Sequence, residues 1–294
     1  MKVLLCGATG FIGRHVQAAL NAAGHEVVSC SSAAAPQPNR ITVDFAQDTQ
    51  PQTWLPRLGG IDAVINAVGV LRDTRRRPIH PIHTATPIAL ATACAQAGIR
   101  RFVQVSALGI EGSPTQYART KLAAEEHLLK LTDADQLDAV ILRPSIVFGR
   151  GGDSSQLFMN LARLPALLLP QAVLSARVQP VAVTELADVV AKLVSPDNTV
   201  AGVLPCVGPQ ATTLGDFIAS LRLQQGRSRA WVAPLPDALT RLSARLGDAV
   251  PASPWCSESL AMLAQDNVSD PRPFQAVLGR TATPYDQLLQ ATWR

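Results

Sequence analysis

The feature that most constrains the fold of this chain is a short apolar segment followed by three closely spaced glycines. Val3–Cys6 is strand-like, Gly7, Gly10 and Gly13 come next, and apolar residues at helical spacing continue from Val16. A strand, a glycine-rich turn and a helix N-terminus in this order are typical of a dinucleotide site, because the glycines let the backbone approach a pyrophosphate and the helix end attracts it. A tight turn without a ligand is the alternative interpretation of this stretch alone.

The rest of the first half alternates apolar segments with helical patterns. Further strands are predicted at 25–30, 41–43, 61–69, 101–106 and 137–142, and helices at 82–97 and from Tyr117 onwards. Strands that are apolar along most of their length belong to parallel sheets covered on both faces. The sequence therefore predicts an α/β fold with a doubly wound parallel sheet of the Rossmann type, whose ligand lies at the carboxyl ends of the strands.

The second half has shorter segments and more proline. We predict a dinucleotide-binding Rossmann domain over 1–150 and a smaller mixed C-terminal lobe over 151–294, with the strand at 178–183 and the helix at 184–193 as candidates to return to the first domain. A small lobe beside a sheet makes a cleft, and clefts between lobes are common substrate sites. We therefore expect the second lobe to contact a substrate or a partner.

Charge and histidine content argue against two kinds of site. The formal net charge is +4 and only 16% of residues are charged, with one basic cluster at Arg72 and 75–77. A solvated loop explains this cluster better than a nucleic-acid patch, and a basic loop beside a phosphate cofactor is the other alternative. Only His80 and His83 are close in sequence, without cysteine or carboxylate neighbours. We therefore predict no metal site and expect both at the surface or in a cleft.

Cysteine usage and hydropathy indicate the compartment. The five cysteines are widely spaced and odd in number, which favours buried free thiols in a reducing environment. The apolar run at the N-terminus is too short for an export signal, and the longest apolar stretch, 161–174, is broken by Arg163, Pro165 and Pro170. The sequence predicts a cytoplasmic protein without a transmembrane segment, and leaves contact with a membrane surface open.

The residues after the second strand bear on the choice of cofactor. Dinucleotide sites for NAD often place a carboxylate there to bind the ribose, whereas this chain has Ser31 and Ser32, followed by an Ala/Pro-rich loop at 33–39. Arg14 lies one position past the last glycine and would attract a 2′-phosphate. These residues favour NADP(H) over NAD(H). Asp44, after the third strand, is predicted to meet the adenine edge of the cofactor or to cap its own loop.

Tyr117 and Lys121 suggest proton transfer. They are four residues apart and share one face of a predicted helix that follows the fifth strand. A nearby ammonium group favours the phenolate form of a tyrosine, so Tyr117 is a candidate to exchange a proton with a carbonyl or alcohol while a nicotinamide carries the hydride. An exposed Tyr–Lys pair without a catalytic role is the alternative.

Four motifs occur in an order that resembles the short-chain dehydrogenase/reductase superfamily, in its extended or atypical branch of NAD-dependent epimerase/dehydratase-like proteins. They are Gly-Ala-Thr-Gly-Phe-Ile-Gly at 7–13, Asn-Ala-Val-Gly at 66–69, Tyr-Ala-Arg-Thr-Lys at 117–121 and Arg-Pro-Ser-Ile-Val-Phe-Gly at 143–149. Within this branch, the segments 105–109, 179–181, 263–268 and 278–279 look like proteins related to the NADPH-binding accessory subunit of respiratory complex I. The resemblance covers nearly the whole chain.

The resemblance implies that Gly7, Gly10 and Gly13 hold the pyrophosphate, that Lys121 contacts the nicotinamide ribose and that Tyr117 is the acid–base residue. The candidate catalytic residues are Tyr117, Lys121 and Ser106. Together with the reasoning above, the candidate cofactor-binding residues are Gly7, Thr9, Gly10, Phe11, Ile12, Gly13, Arg14, Ser31, Asp44, Ala67, Val68, Gly69, Lys121, Pro144 and Val147.

One departure from the superfamily pattern bears on catalysis. The fifth strand usually ends in two hydroxyl residues, and the second of them holds the substrate carbonyl; this chain has Ser106 and then Ala107. Ser106, Ser145 and Thr115 are candidate substitutes for the missing donor. We therefore expect either an oxidoreductase or nucleotide-sugar epimerase-like enzyme with an unknown small substrate, or a non-catalytic NADPH-binding structural or assembly protein. A redox-sensing regulator is a third hypothesis. The resemblance to the complex I subunit allows association with a respiratory complex, peripheral to the membrane through that partner.

Overall fold

The computed structural model describes residues 1–32, 39–250, 253, 255–263 and 265–293. The Ala/Pro-rich loop expected at 33–39 therefore lies outside the described residues except for Asn39, as does Ala264 of the late motif at 263–268. The chain forms two compact units. The first contains Met1–Ala107, Gln116–Arg143 and Leu186–Leu204, and the second contains Leu108–Thr115, Pro144–Glu185 and Pro205–Arg294.

The first half of the chain alternates strands and helices as the apolar pattern predicts. In chain order the elements are β1 (Lys2–Cys6), α1 (Phe11–Ala22), β2 (Glu26–Ser31), β3 (Arg40–Thr42), α2 (Pro51–Trp54) with a 3₁₀ turn at Leu55–Arg57, β4 (Ala63–Asn66), a π-helical turn at Pro81–Ala85 leading into α3 (Thr86–Gln96), β5 (Arg101–Val105), α4 (Gln116–Asp133) and β6 (Asp138–Pro144).

The second half consists of shorter elements. They are β7 (Val147–Phe148), α5 (Asp153–Leu161), β8 (Ala166–Pro170), α6 (Gln171–Ser175), β9 (Arg177–Val178), β10 (Val181–Ala182), α7 (Val183–Leu193), β11 (Gly202–Cys206), β12 (Thr212–Thr213), α8 (Leu214–Gln224), β13 (Trp231–Leu235), α9 (Asp237–Asp248), α10 (Ser257–Met262), α11 (Arg272–Leu278) and α12 (Leu288–Thr292).

Seven strands form the main sheet, in the order β11-β6-β5-β4-β1-β2-β3. The pairs from β6 to β3 are parallel, with Val3 opposite both Val27 and Ala63. Residues of β1, β4 and β5 are buried almost without exception, which explains their continuous apolar sequence. The predicted α/β doubly wound sheet is confirmed, and its carboxyl edge carries the loops that follow Cys6, Ser31 and Asn66.

Two strands of the second half differ from the sequence pattern. The single strand expected at 178–183 is divided into β9, which pairs antiparallel with β12, and β10, which pairs parallel with β7. Pro180 lies between them, and proline has no N–H to continue a ladder. β11 lies next to β6 in the main sheet, so this sheet takes a strand from beyond residue 150.

Buried apolar side chains hold the first unit together. Leu4 and Val64 of the sheet pack with Trp54, Leu90 of α3 and Leu128 of α4 in one cluster. The second unit has its own cluster, around Phe148, Phe158 and Phe217. All five cysteines are free and buried.

Two kinds of feature are absent from the described residues. No helix among them is long and apolar enough to cross a membrane. The same residues contain no group of three or more His, Cys, Asp or Glu placed to hold a metal ion.

Candidate functional site

The loop between β1 and α1 is built so closely that glycine is required in it. Gly7 has a φ of +83°, and a Cβ there would lie 3.0 Å from the carbonyl carbon of Ala67. A Cβ at Gly13 would lie 2.0 Å from the carbonyl oxygen of Gly7. The N–H of Gly10 donates to that same oxygen at 2.9 Å, which closes the turn. The glycine spacing is therefore a steric requirement of the strand–turn–helix unit.

The N-terminus of α1 is suited to an anion. Gly10 is its N-cap, no side chain caps it, and its first turn contains no acidic residue. A helix end of this kind presents backbone N–H groups and the positive end of the helix dipole. Thr9 and Gly10 are exposed and Phe11 and Ile12 are half-buried, so the surface at this helix end fits the phosphates of a dinucleotide.

A pocket at the carboxyl edge of the sheet brings together eight of the candidate cofactor residues. Its lining consists of Gly7, Thr9, Gly10, Cys30, Ser31, Ser32, Val43, Asp44, Phe45, Ala46, Ala67, Val68, Gly69, Val70, Arg76, Arg77 and Ile82. Phe11, Ile12, Gly13, Arg14 and Lys121 do not line it. Pro144 and Val147 belong to the second unit, where Val147 is in β7.

Two arginines line this pocket, and a third contacts one of its lining residues. Arg40 of β3 donates from Nε to the hydroxyl of Ser31 at 3.0 Å, and Arg76 and Arg77 lie in the lining. Arg14, by contrast, stacks on Phe11, with its guanidinium carbon 5.7 Å from the ring centroid. Arg40 of β3 thus contacts Ser31, and Arg76 and Arg77 of the 71–79 loop add two cations to the pocket lining. The sequence had allowed this basic cluster as a neighbour of a phosphate cofactor.

Asp44 has a local role. Its Oδ1 accepts the backbone N–H of Ala46 at 2.9 Å, and its own N–H donates to Asp48 at 2.9 Å. The loop-capping interpretation therefore describes its carboxylate, while the residue also lines the pocket.

Tyr117 and Lys121 lie on α4 as expected, but their electrostatics differ from the expectation. Burial, with a smaller contribution from Glu125, raises the pKa of Tyr117 to about 12. Burial also lowers the pKa of Lys121 to about 8. The expected lowering of the tyrosine pKa by the ammonium group is thus wrong for this structure, because desolvation of the phenolate outweighs the attraction. Tyr117 is a protonated phenol at neutral pH.

The position of Lys121 is fixed by the sheet. Its Nζ donates to the carbonyl oxygen of Val105, at the end of β5, at 3.0 Å. The same Nζ lies 5.8 Å from the ring centroid of Tyr117. A Cβ on Gly69 would be 3.4 Å from this Nζ, so Lys121 is adjacent to the loop that lines the pocket.

Ser106 is engaged by a buried ion pair. Its hydroxyl donates to the Oε1 of Glu125, and the Oε2 of Glu125 accepts from Nε of Arg143 at 3.0 Å. All three residues are buried. The proton of Ser106 is therefore held by a carboxylate of α4.

The other candidate hydroxyls also have hydrogen bonds. The hydroxyl of Ser145 donates to the carbonyl oxygen of Asn267 at 3.0 Å and accepts from the N–H of Gln179 at 3.1 Å. The hydroxyls of Thr115 and Ser113 are 3.0 Å apart. Each of these substitutes for the missing donor at Ala107 would have to give up or share an existing contact.

His83 is a residue whose environment the sequence did not indicate. It is 2% exposed, whereas His80 is exposed. Burial, and secondarily the charge of Lys121, lowers the pKa of His83 to about 2. Its ring meets that of Tyr117 edge-on, with centroids 5.3 Å apart. The π-helical turn at Pro81–Ala85 places His83 in the interior. Apart from its prolines, the sequence contains no pattern that predicts this turn.

Comparisons with known proteins agree with this geometry. The sequence model described as the NAD dependent epimerase/dehydratase family matches residues 3–193, more than half of the chain. A rat protein, NADH dehydrogenase [ubiquinone] 1 alpha subcomplex subunit 9, mitochondrial, is 25% identical over 273 residues, which are 86% of this chain and 68% of that protein. UDP-glucose 4-epimerase of Vibrio cholerae is 25% identical over 193 residues, which are 58% of this chain and 58% of that protein.

A solved structure has the same fold. The human epimerase family protein SDR39U1 (isoform 2), determined with NADPH, matches with a TM-score of 0.70 and 22% identity, covering 99% of each chain. At this identity the likeness extends to the fold and not to the substrate.

Proposed function

Because this chain belongs to the NAD dependent epimerase/dehydratase family and is therefore an NAD(P)-binding protein, we propose that it binds NADP(H) and acts as an oxidoreductase or nucleotide-sugar epimerase-like enzyme. The observation that carries the cofactor choice is the arginine content of the pocket: Arg40 donates to Ser31 of the lining, and Arg76 and Arg77 belong to the lining. The substrate is a small molecule whose identity is open.

Electrostatics supports NADP(H) in this pocket. Asp44 is the acidic residue of the lining, and its carboxylate is engaged by the N–H of Ala46. A carboxylate that binds the ribose 2′-OH would repel a 2′-phosphate, whereas guanidinium groups attract one and bind it with charge-assisted hydrogen bonds. Ser31, Arg40, Arg76 and Arg77 therefore form the proposed 2′-phosphate site.

The chemistry of the proposed reaction divides between the cofactor and this chain. A bound nicotinamide cofactor supplies or accepts a hydride. Tyr117 holds a phenolic proton at neutral pH, which it donates to a carbonyl oxygen in the reductive direction. Lys121, held by the Val105 carbonyl beside Gly69, would donate to the ribose of a bound nicotinamide cofactor, and its charge favours the phenolate that remains when Tyr117 has lost its proton.

A second candidate, an NADPH-binding structural or assembly protein without turnover, is favoured by the environment of Ser106. Its hydroxyl donates to Glu125, and Ala107 has no hydroxyl, so the strand end lacks a ready donor for a substrate carbonyl. The similarity to the rat NADH dehydrogenase subunit supports association with a respiratory complex, with the smaller C-terminal lobe as a partner surface. A cytoplasmic location, attachment to a membrane through such a partner and a redox-sensing role stay predictions.

The cofactor proposal is tested by titration calorimetry of NADPH and NADH. Wild type should bind NADPH at least about tenfold more tightly than NADH, a difference of about 1.4 kcal/mol that one charge-assisted contact can supply. In Arg76→Ala/Arg77→Ala this preference should fall while NADH affinity stays constant. Arg72→Ala/Arg75→Ala, in the same loop but outside the lining, is the matched control. Equal affinity of wild type for both nucleotides would contradict the preference, and binding of neither would contradict the function.

The catalytic proposal is tested by Tyr117→Phe against a panel of carbonyl and nucleotide-sugar substrates. Turnover should fall by about a hundredfold or more while NADPH affinity is retained. Tyr285→Phe, the other tyrosine of the chain, is the control for loss of a hydroxyl. Unchanged turnover in Tyr117→Phe would remove Tyr117 from the chemistry. Wild type that binds NADPH but turns over no substrate of the panel would favour the second candidate.

A further inference from the structure

His83 lies where the cofactor pocket meets the helix of Tyr117 and Lys121. It belongs to the π-helical turn Pro81–Ala85 that precedes α3. Single π turns inside helices are frequent at functional sites because they re-aim a side chain. Here the turn directs a histidine into the interior, where it is 2% exposed.

Both ring nitrogens of His83 have defined partners. Nε2 accepts the backbone N–H of Val70 at 2.9 Å, so this nitrogen carries no proton. Nδ1 lies 3.2 Å from the hydroxyl of Thr120, and that hydroxyl donates to the backbone carbonyl oxygens of Gln116 and Tyr117. Nδ1 must then be the donor to Thr120. The contacts therefore fix a neutral ring protonated at Nδ1.

A neutral histidine with both nitrogens occupied is not a proton carrier. Its pKa is lowered to about 2 by burial and by the charge of Lys121, and its ring packs edge-on against Tyr117. An acid–base role at neutral pH is therefore excluded for this residue, and its effect must come through the groups that it holds.

On its Nε2 side, His83 binds the backbone of a loop that lines the cofactor pocket. Val68, Gly69 and Val70 line the cofactor pocket. The N–H of Val68 is bound at 3.1 Å by the side chain of Asn66, on the strand. The N–H of Val70 is bound by His83. The far end of this loop is thus fastened by a histidine rather than by the sheet.

We infer that His83 is a positioning residue that fastens the loop 68–70 of the cofactor pocket to the helix carrying Tyr117 and Lys121. This inference rests on the proposed function, since it assigns His83 to the binding of the nicotinamide cofactor and to the placement of the Tyr117 phenol beside it. Loss of the acceptor at Nε2 leaves a partly buried N–H without a partner and releases the loop, which lowers cofactor affinity.

The test compares three variants that remove different contacts. His83→Gln places an amide oxygen near the position of Nε2 and can still accept from Val70. His83→Asn places its amide near Nδ1 and keeps only the Thr120 side. His83→Phe keeps the ring packing against Tyr117 and neither hydrogen bond. His127→Gln is the matched control, because His127 lies on α4 but contacts Thr92 on α3 at 3.0 Å.

NADPH affinity is expected to follow the Val70 contact. His83→Gln should bind within about threefold of wild type, whereas His83→Asn and His83→Phe should each bind about tenfold more weakly, as expected for one unsatisfied N–H. His127→Gln should bind like wild type. Equal affinity in all three His83 variants would overturn the inference, since NADPH affinity would then not depend on the contact with the N–H of Val70.

A spectroscopic measurement on wild type gives an independent result. ¹⁵N NMR of the imidazole should show the neutral Nδ1–H tautomer for His83 from about pH 5 to about pH 8, whereas an unperturbed histidine would titrate in that range. A protonated ring or the opposite tautomer would overturn the inference even where a variant fails to fold. Wild type that binds neither NADPH nor NADH would overturn the proposed function as well, whereas equal losses in folded variants overturn only the role of His83.

Discussion

The glycine loop after β1 and the helix that carries Tyr117 lie in the same unit but are made of different parts. The loop from Gly7 to Gly13 is shaped by backbone: Gly7 has a φ of +83°, and a Cβ at Gly13 would lie 2.0 Å from the carbonyl oxygen of Gly7. The region around Tyr117 is shaped by side chains. Among them, the hydroxyl of Ser106 donates a hydrogen bond to the carboxylate of Glu125. The first region presents the N-terminus of α1 without a side-chain cap, whereas the second contains a hydroxyl and a carboxylate that already bind one another.

This difference separates binding from catalysis. A backbone site cannot be lost by a change of side chain that leaves the glycines in place, so cofactor binding persists in a family while the reacting groups change. Catalysis requires donors aimed at the position where charge develops. The replacement of the second strand-end hydroxyl by Ala107 and the engagement of Ser106 affect only that second requirement.

The largest effect is expected from breaking the backbone region with Gly13→Ala. A Cβ there would lie 2.0 Å from the carbonyl oxygen of Gly7, so α1 or the loop must move. We expect loss of measurable NADPH binding and a fall of about 3 kcal/mol in the free energy of unfolding. Calorimetry measures the first effect and chemical denaturation the second. Gly59→Ala, where a Cβ would meet no atom within 4 Å, is the control. NADPH affinity equal to that of wild type would show that phosphate does not bind at this loop.

The next effect comes from the side-chain region. Glu125→Gln removes the negative charge that binds the buried guanidinium of Arg143 and the hydroxyl of Ser106. We expect the free energy of unfolding to fall by about 3 kcal/mol, with NADPH affinity changed less than in Gly13→Ala. Glu126→Gln, the exposed neighbour on the same helix, should have no measurable effect. A Glu125→Gln protein as stable as wild type would mean that the ion pair does not order this region.

The same division explains which features the sequence revealed. The sheet and the glycine loop depend on residues adjacent in sequence, Val3–Cys6 and Gly7 to Gly13, so the fold and NAD(P) binding were predicted and are confirmed. The side-chain contacts depend on partners far along the chain. Glu125 is 19 residues from Ser106 and 18 from Arg143, and no local pattern pairs them. Arg40 beside Ser31 was missed for the same reason.

The electrostatic errors have a physical origin. Lys121 is four positions after Tyr117 on one helix face, and this spacing predicted a lowered pKa for the tyrosine. Sequence spacing, however, does not show how deeply either side chain is buried. Burial dominates for both groups. His83 was expected at the surface or in a cleft and is buried by a π-helical turn that leaves no periodic signal. The candidate catalytic and cofactor-binding residues stay predictions until their variants are measured.

A smaller effect, dependent on pH, is expected from Lys121. Its folded-state pKa of about 8 is below its ordinary value of 10.5, so between these values the unfolded chain binds more protons and stability rises with pH. Below about pH 8 both states are charged and the burial cost is constant. Wild type should therefore gain about 2–3 kcal/mol relative to Lys121→Met between pH 8 and 10.5. Denaturation across this range measures it, and a difference that does not change with pH would contradict a buried ammonium.

The smallest expected effect distinguishes cofactor binding at the glycine loop from catalysis at Tyr117 most directly. Ala107→Ser restores a second hydroxyl at the strand end, next to the engaged Ser106, without altering the glycine loop. For the proposed enzyme we expect turnover to rise by about fivefold, a modest part of what a transition-state donor can contribute, with NADPH affinity unchanged. Ala134→Ser, exposed after α4, is the control. If the protein binds NADPH tightly but shows no turnover before or after this change, the restored hydroxyl has no reaction to assist. The glycine loop would then serve cofactor binding without catalysis.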